Sequence, residues 1–525
     1  MRRCPWRLIV LPLAVGSCGP SVADFCAPGS PECSALDATA GDTAPDGGAE
    51  AGVAPSGCDP VKSPRDEACV IDEAFGIFVS PAGSDANPGS KAAPARTIGH
   101  AMDLAKAAGK RVYVCRGSYP EPIAVGASRD GVNVYGALDC ASWTYGAANK
   151  VVVAPAQSGY ALQIQGLQTG VTFEDIEFDA QSAANGGESS IAVFASGSQN
   201  VALHRVTIVA GNGTDGMPGP PQGPSDWYGI PPNYSELNGM SAGDAGGAPS
   251  STCTCPDQAS STGGAGGGPM NIPTPSAGQP SYGDAGAGAG GMNAVSCGSG
   301  GTAQNGANAP APLADTPSTS FGACSATGWT PGVGVTGANG KPGQGGGGGG
   351  NGTLSSGSGG SGACGGCGGW GGKGGAGGGS SIALLSYQSN ITSVSCLLTA
   401  GAGGNGGAGG SGEAGQAGGS PGNGSGAGAG TGCSGGAGGA GAGGNGGQGG
   451  PGGLSLGIGY VGTPPTIDGA VVTQASTHSG ITTGAAGSGG AGGLRGTSAT
   501  SSTGPPGTVG AFGIAGLVGA VEAVP

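Results

Sequence analysis

The densest set of potentially reactive side chains is acidic. Glu174, Asp175, Glu177 and Asp179 fall close together, and Arg205 is the next basic residue downstream. Carboxylates are hard oxygen ligands suited to Ca2+, and an Arg beside them can act as a base. Glu177, Asp179 and Arg205 are therefore the candidate site of a polysaccharide lyase or epimerase acting on uronate polymers. Two observations weaken that reading. Strand alternation would send Glu174 and Asp175 to opposite sides. After Lys150 the chain has only Arg205, Lys341, Lys373 and Arg495 of its 17 basic residues, few for gripping an anionic polymer. The leading reading thus assigns no catalytic residue, metal or cofactor, and Ca2+ enters only with the lyase alternative.

Cysteine supplies the other chemistry. Cys364-Gly365-Gly366-Cys367 is a CxxC motif, with Cys253-Thr254-Cys255 upstream. A redox CxxC opens a helix whose N-terminus lowers the thiol pKa, whereas this one sits among glycine triplets. In polyproline II geometry the two Cys stand ~9 Å apart, beyond bridging distance, so each is expected to pair with a separate segment. Cys115 with Cys140, and Cys58 with Cys69, are further candidate disulfides. His100, His204 and His478 assemble into no triad or metal set.

The chain has 525 residues, 126 of them Gly, 39 Pro and 16 Cys, and a net charge of −14. Such glycine content excludes a single ordinary globular domain. The acidic balance speaks against a nucleic-acid partner. Arg2, Arg3 and Arg7 precede an apolar run from Leu8 to Val15, which is too short to span a bilayer and is shaped like a secretory leader. Ala14-Val15-Gly16-Ser17-Cys18 resembles a bacterial lipobox, making Cys18 the expected lipidation site and the membrane a partner through that lipid. Cleavage after Ala23 would instead give a secreted protein. The expected location is the bacterial cell envelope, at the outer membrane or cell surface, and cysteines in an exported chain point to disulfides. Carbohydrate or other envelope components are the remaining partners considered.

The elements behind these residues read as follows. Residues 1–17 are the leader and 18–74 an acidic flexible tether. Residues 75–210 hold a strand near Phe78, an amphipathic helix with Thr97 as N-cap and Gly109 as stop, and short β-rich runs. From Tyr160 the runs repeat: Tyr160–Ala180, Ser190–Gly211 and Ser381–Gly401 share a strand, a Gly or Asn turn and a second strand. Units this small must stack to bury their apolar faces, and the expected fold is all-β, a right-handed parallel β-helix. Asn200 and Asn390 are expected to take left-handed geometry and ladder along the stack. Coils at 381–400 and 454–473 continue it, and 509–525 reads as a terminal strand.

Between the coils lie long glycine-rich insertions at 211–380 and 401–453, and a Ser/Thr/Gly-rich loop at 474–508. Glycine recurs there at every third position, the period of polyproline II. Composition favours disorder, and side-by-side polyproline II packing stapled by cystines is the other reading.

Phe78-Val79-Ser80-Pro81, Gly83-Ser84-Asp85, Asn87-Pro88-Gly89, then Thr97-Ile98 and Val112-Tyr113-Val114 resemble the opening of pectin-lyase-like β-helix proteins, especially a family of unknown function in bacterial surface and secreted proteins. The resemblance spans roughly residues 75–210 and implies a helix that caps the solenoid. The glycine tracts resemble PGRS-like repeats. Because β-helices serve lyases, adhesins and spacers alike, the resemblance implies a fold rather than an activity. The functional expectation is a non-enzymatic surface lipoprotein with a structural, adhesive or envelope-associated role.

Overall fold

The computed structural model describes residues 57–525 apart from 60, 221–237, 244–245, 270–271, 283–287, 293–296, 298–300, 353–356, 427–430 and 499–503. Cys18 lies outside the described residues. The first strands are β1 (Gly76–Val79), β2 (Arg111–Cys115), β3 (Gly117–Tyr119), β4 (Ile123–Val125), β5 (Val134–Leu138), β6 (Val151–Val153) and β7 (Leu162–Gln165), with the helix α1 (Ile98–Ala108) after β1. Next come β8 (Val171–Glu174), β9 (Glu177–Asp179), β10 (Ser190–Ser196), β11 (Val201–His204) and β12 (Thr207–Val209). Two hairpins follow, β13 (Ser251–Thr254) with β14 (Ser260–Gly263), and β15 (Gly322–Ser325) with β16 (Gly328–Pro331). The rest are β17 (Ser381–Tyr387), β18 (Ile391–Val394), β19 (Leu397–Thr399), β20 (Ser455–Val461), β21 (Thr466–Ile467), β22 (Ala470–Val471), β23 (Ile481–Thr482) and β24 (Val518–Ala523). Among the described residues, no helix is long and apolar enough to cross a membrane.

These strands form a parallel β-helix. Sheet A runs β1-β2-β5-β8-β11-β18-β21-β22, sheet B β3-β6-β9-β12-β19-β23 and sheet C β4-β7-β10-β17-β20-β24. After β1 and α1 the chain passes A, B, C six times, each pass adding one coil, and every neighbouring pair except β21 with β22 is parallel. The core is built from columns. Val134, Phe173, Leu203, Ser393 and Ile467 stack in register inside sheet A, and Phe173 meets Phe178 edge-on at 5.4 Å. Each fully buried Phe contributes about 1.5–3 kcal/mol of transfer free energy.

Helix α1 closes the first coil with Ile98, Ala101, Met102 and Ala105, all fully buried. Its start is secured twice. The Thr97 hydroxyl accepts from His100 N, and the Glu121 carboxylate accepts from Ile98 N at 2.6 Å and Gly99 N at 3.2 Å. Gly109 ends it in left-handed geometry, φ 65°. At the far end the segment after β22 folds back on β24, Ala475 and Val521 exchanging backbone hydrogen bonds.

Several boundaries differ from the sequence reading. Val70 and Ile71, in a stretch expected as the end of a tether, pack on the outer face of sheet A: both are buried, and Val70 O accepts from the Tyr113 hydroxyl. Asn200 is left-handed but Asn390 is not. The left-handed column at that corner is Gly166, Gly197, Gln388 and Gly462, and the ladder beside it is serine, Leu167 N donating to Ser198 Oγ and Ser198 N to Ser389 Oγ.

The largest difference concerns the insertions. Their described residues form ordered legs that leave sheet B after β12, β19 and β23 and return into β17, β20 and β24. Neighbouring legs bond at every third residue: Gly337, Gly340 and Gly343 N–H reach Gly372, Gly369 and Gly366 O, while Gly366, Gly369 and Gly372 N–H reach Gly439, Ala442 and Asn445 O. This is polyproline II periodicity with glycine at the contacts, so the disorder expected from composition gives way to packing. Residues 509–516, expected as the start of a terminal strand, belong to this lattice through Gly510, Gly513 and Gly516. Asparagines stitch it, Asn212, Asn405 and Asn445 Oδ1 accepting from Ala402, Ser488 and Thr508 N.

Candidate functional site

The candidate acids and Arg205 lie around the corner between sheets A and B. The chain turns there through left-handed residues stacked coil on coil: Asp175 (φ 56°), Arg205 (φ 53°) and Ser395 (φ 53°). Asp175 N donates to His204 O and Arg205 N to Val394 O, continuing the ladder around the bend. A positive φ at a long side chain such as Arg is disfavoured and persists only when its surroundings hold it.

What holds it is an ion-pair network. Arg205 Nε and Nη2 donate to the two Asp175 carboxylate oxygens, each at 3.0 Å, and Nη2 also meets Glu174. The Tyr145 hydroxyl donates to Asp175 at 3.2 Å, and His204 Nδ1 lies 3.4 Å from Glu174. Burial disfavours the guanidinium charge, but the Asp175 hydrogen bond and the Glu174 and Asp175 charges outweigh it, holding Arg205 above its ordinary pKa. A two-pronged Arg–carboxylate pair is strong and directional, and it leaves Arg205 protonated and occupied.

This arrangement departs from the expectation in two ways. Glu174 and Asp175 converge on Arg205 rather than diverging, because left-handed Asp175 interrupts strand alternation. Glu177 and Asp179 do not join Arg205. They stand half-buried on the outer face of sheet B, Glu177 between Val152 and Thr207, Asp179 beside Val209. Among the described residues no hydrogen bond or ion pair reaches either carboxylate. Burial raises the Asp179 carboxyl above its usual range. Tyr145 and His204 joined the network without a sequence signal, since their contacts depend on coil register.

Among the described residues the cysteines form five disulfides: Cys58–Cys69, Cys115–Cys140, Cys253–Cys364, Cys255–Cys367 and Cys297–Cys433. The CxxC therefore pairs with one segment, around β13, not with two separate ones. Alternate residues of a strand and every third residue of polyproline II each share a face, so CxC and CxxC match as two parallel staples. Cys324 is buried and Cys396 half-buried, both as thiols, and burial pushes Cys324 up to about 11. Cys58, Glu67 and Cys69 are close enough to hold a metal, but the disulfide occupies both sulfurs.

No curated protein matches the chain. Two of the solved structures that share local likeness illustrate it. One is a GH136 lacto-N-biosidase from Eubacterium ramulus, at 14% identity and TM-score 0.20 over 26% of this chain and 27% of that one. The other is a rhamnogalacturonan lyase, at 15% identity and TM-score 0.12 over 27% and 39%. The chain thus spans well under half of either protein, and likeness at this level carries no argument about activity. The profile of a family described as "Protein of unknown function (DUF1565)" matches residues 81–172, from the turn after β1 to the start of β8. The chain is a parallel β-helix protein, and the part of it that holds the cap and first coils is similar to DUF1565, a family known to adopt this fold.

Proposed function

We propose that this protein is a cell-surface scaffold, tethered through a lipid on Cys18, whose role is structural or adhesive. The observation that carries the reading is the state of Arg205. Arg205 is locked at a corner by Asp175 and Glu174, while Glu177 and Asp179 stand apart from it. A base must be free to accept the proton it removes, and Arg205, held protonated by two carboxylates, is not. Five disulfides and a glycine lattice joined to the coils suit a durable, exported rod. The specific observation favouring the rival lyase or epimerase reading is Asp179, half-buried on sheet B with no partner for its carboxylate among the described residues, its pKa raised from the ordinary value by burial.

The two readings separate in one experiment on the full chain. The scaffold reading expects no calcium-dependent rise in melting temperature and no unsaturated product from polygalacturonate or alginate. A calcium-dependent rise together with such product would establish the lyase. The anchor is tested separately: Cys18→Ser should move the protein from the detergent phase to the medium, and an unchanged partition would end the lipoprotein proposal.

A further inference from the structure

A recess of about 470 Å3 opens where sheets B and C meet in the first two coils. One column on the outer face of sheet C runs Ala124, Gln163, Phe194 and Leu385 in register. The hairpin β15–β16 covers the later part, burying Phe194 and Leu385 in a cluster with Trp329. Its cover stops at Tyr160, whose ring stacks on Phe194 at 5.1 Å and 26°. Beyond that ring Ala124 and Gln163 are left as an open floor. Pro120 and Pro122 form one side, and the loop from Pro155 through Gln157 to Tyr160 forms the other.

The lining has a definite chemical character. It contains no charged side chain. Three prolines fix its walls, so little conformational freedom is lost when something binds. The Gln157 and Gln163 carboxamides have no partner among the described residues, although Gln163 is half-buried, while the Tyr160 hydroxyl turns toward Gly328 of the covering hairpin and leaves its ring to the recess. A mainly apolar recess with a few convergent polar groups is the usual form of a small-ligand site. Each carboxamide can donate and accept at once, which matches vicinal hydroxyls, while proline and tyrosine rings offer flat surfaces to C–H groups. A polyproline II peptide would need a row of aromatic rings, and Tyr160 is the one aromatic residue lining the recess.

We infer that this recess binds a neutral oligosaccharide through Gln157, Gln163 and the Tyr160 ring. The inference deepens the adhesive part of the reading above and rests on it. It assigns binding to the corner between sheets B and C, away from the A–B corner that Arg205 occupies, and to uncharged rather than uronate sugar.

The test is saturation-transfer NMR and titration calorimetry on the full, disulfide-bonded chain with maltotriose, cellotriose and chitotriose, trigalacturonate as the charged comparison and a deca-proline peptide as the other occupant. At least one neutral trisaccharide should bind with Kd below about 10 mM. Gln163→Leu and Gln157→Ala should each weaken it by about tenfold with an unchanged melting temperature. The proposal is overturned if none of the neutral trisaccharides binds, if both variants bind as the parent does, or if trigalacturonate or deca-proline binds as tightly. Absence of binding without cleavage removes the recess proposal alone, whereas cleavage of trigalacturonate would overturn the scaffold reading as well.

Discussion

The glycine lattice makes a quantitative claim that one methyl group can test. Gly369 sits on the leg returning to β17, its N–H bonded to Ala442 O at 2.9 Å and its carbonyl accepting from Gly340 N at 2.8 Å. A Cβ added there would press into the Glu413 carbonyl, 2.6 Å from its carbon and 2.9 Å from Ala414 O. Those obstacles are backbone atoms of a leg itself bonded on both sides, so no side chain can swing away. Overpacking a close-packed interior costs about 1–3 kcal/mol, and displacing the leg also weakens a hydrogen bond worth about 1 kcal/mol. Gly369→Ala should therefore cost about 3 kcal/mol, a fall in melting temperature of roughly 6 °C at ~2 °C per kcal/mol for a large domain. The comparison sites are Gly126 and Gly243, where an added Cβ meets nothing within 4 Å. Alanine there should be neutral or stabilising by up to about 1 kcal/mol, because it restricts the unfolded chain. Thermal unfolding followed by circular dichroism compares the three variants. If Gly369→Ala melts with Gly126→Ala and Gly243→Ala, the lattice does not exist as described.

Arg205→Met should cost about 3 kcal/mol by leaving Glu174 and Asp175 without their counter-charge, and adding Glu174→Gln with Asp175→Asn should recover most of it; denaturant midpoints decide, and an unaffected single variant would contradict a structural role for Arg205. Glu188 accepts from Asn185 N, the Ser158 hydroxyl and Ala184 N, which bring its pKa down to about 2. Because its folded pKa is depressed, it contributes stability above the ordinary glutamate range that is lost as pH falls from about 4.5 toward 2. Glu188→Gln should accordingly melt lower than the parent at pH 7 and converge with it near pH 2, and a gap independent of pH would refute this. Ser393 is buried at 2% exposure in the sheet A column, its hydroxyl unpartnered. Ser393→Ala should stabilise by about 1 kcal/mol, and a loss of stability would mean that the hydroxyl has a partner.

Legibility in the sequence followed locality. The capping helix was readable because Thr97, Gly109 and the spacing of Ile98, Ala101, Met102 and Ala105 are signals within one segment. The repeat was readable because stacked strands share a pattern: Ile191, Val201 and Ile208 recur as Ile382, Ile391 and Leu398 in the next coil. The candidate site was not, because it turns on a left-handed Asp175, and period-two alternation cannot anticipate a bend at a residue other than glycine. The hairpins β13–β14 and β15–β16 were hidden for a different reason. Their strands, such as Ser251–Thr254 and Gly322–Ser325, are small and polar, and they are held by Cys253, Cys255 and Trp329 through contacts distant in sequence.

Glycine every third residue explains how legs can approach, but not why they do so in one arrangement. The β-helix supplies that. In sheet B, β12 pairs Val209 with Thr399, and just beyond it Gly213 and Gly216 N–H reach Ala402 and Asn405 O. In sheet C, β17 pairs Ser381 with Ser455, and just before it Gly378, Gly375 and Gly372 N–H reach Pro451, Gln448 and Asn445 O. The register of each sheet runs into the legs without a slip, so outgoing legs extend sheet B and returning legs extend sheet C. Gly404, Gly407 and Gly410 then join the two layers through Gly379, Ala376 and Lys373 O. Coil stacking thereby holds the ends of every leg at the spacing of adjacent strands, removing much of the entropy that leaves isolated glycine-rich chains disordered. The lattice is the corner of a β-helix drawn out across three successive coils, and its order should depend on those coils being folded.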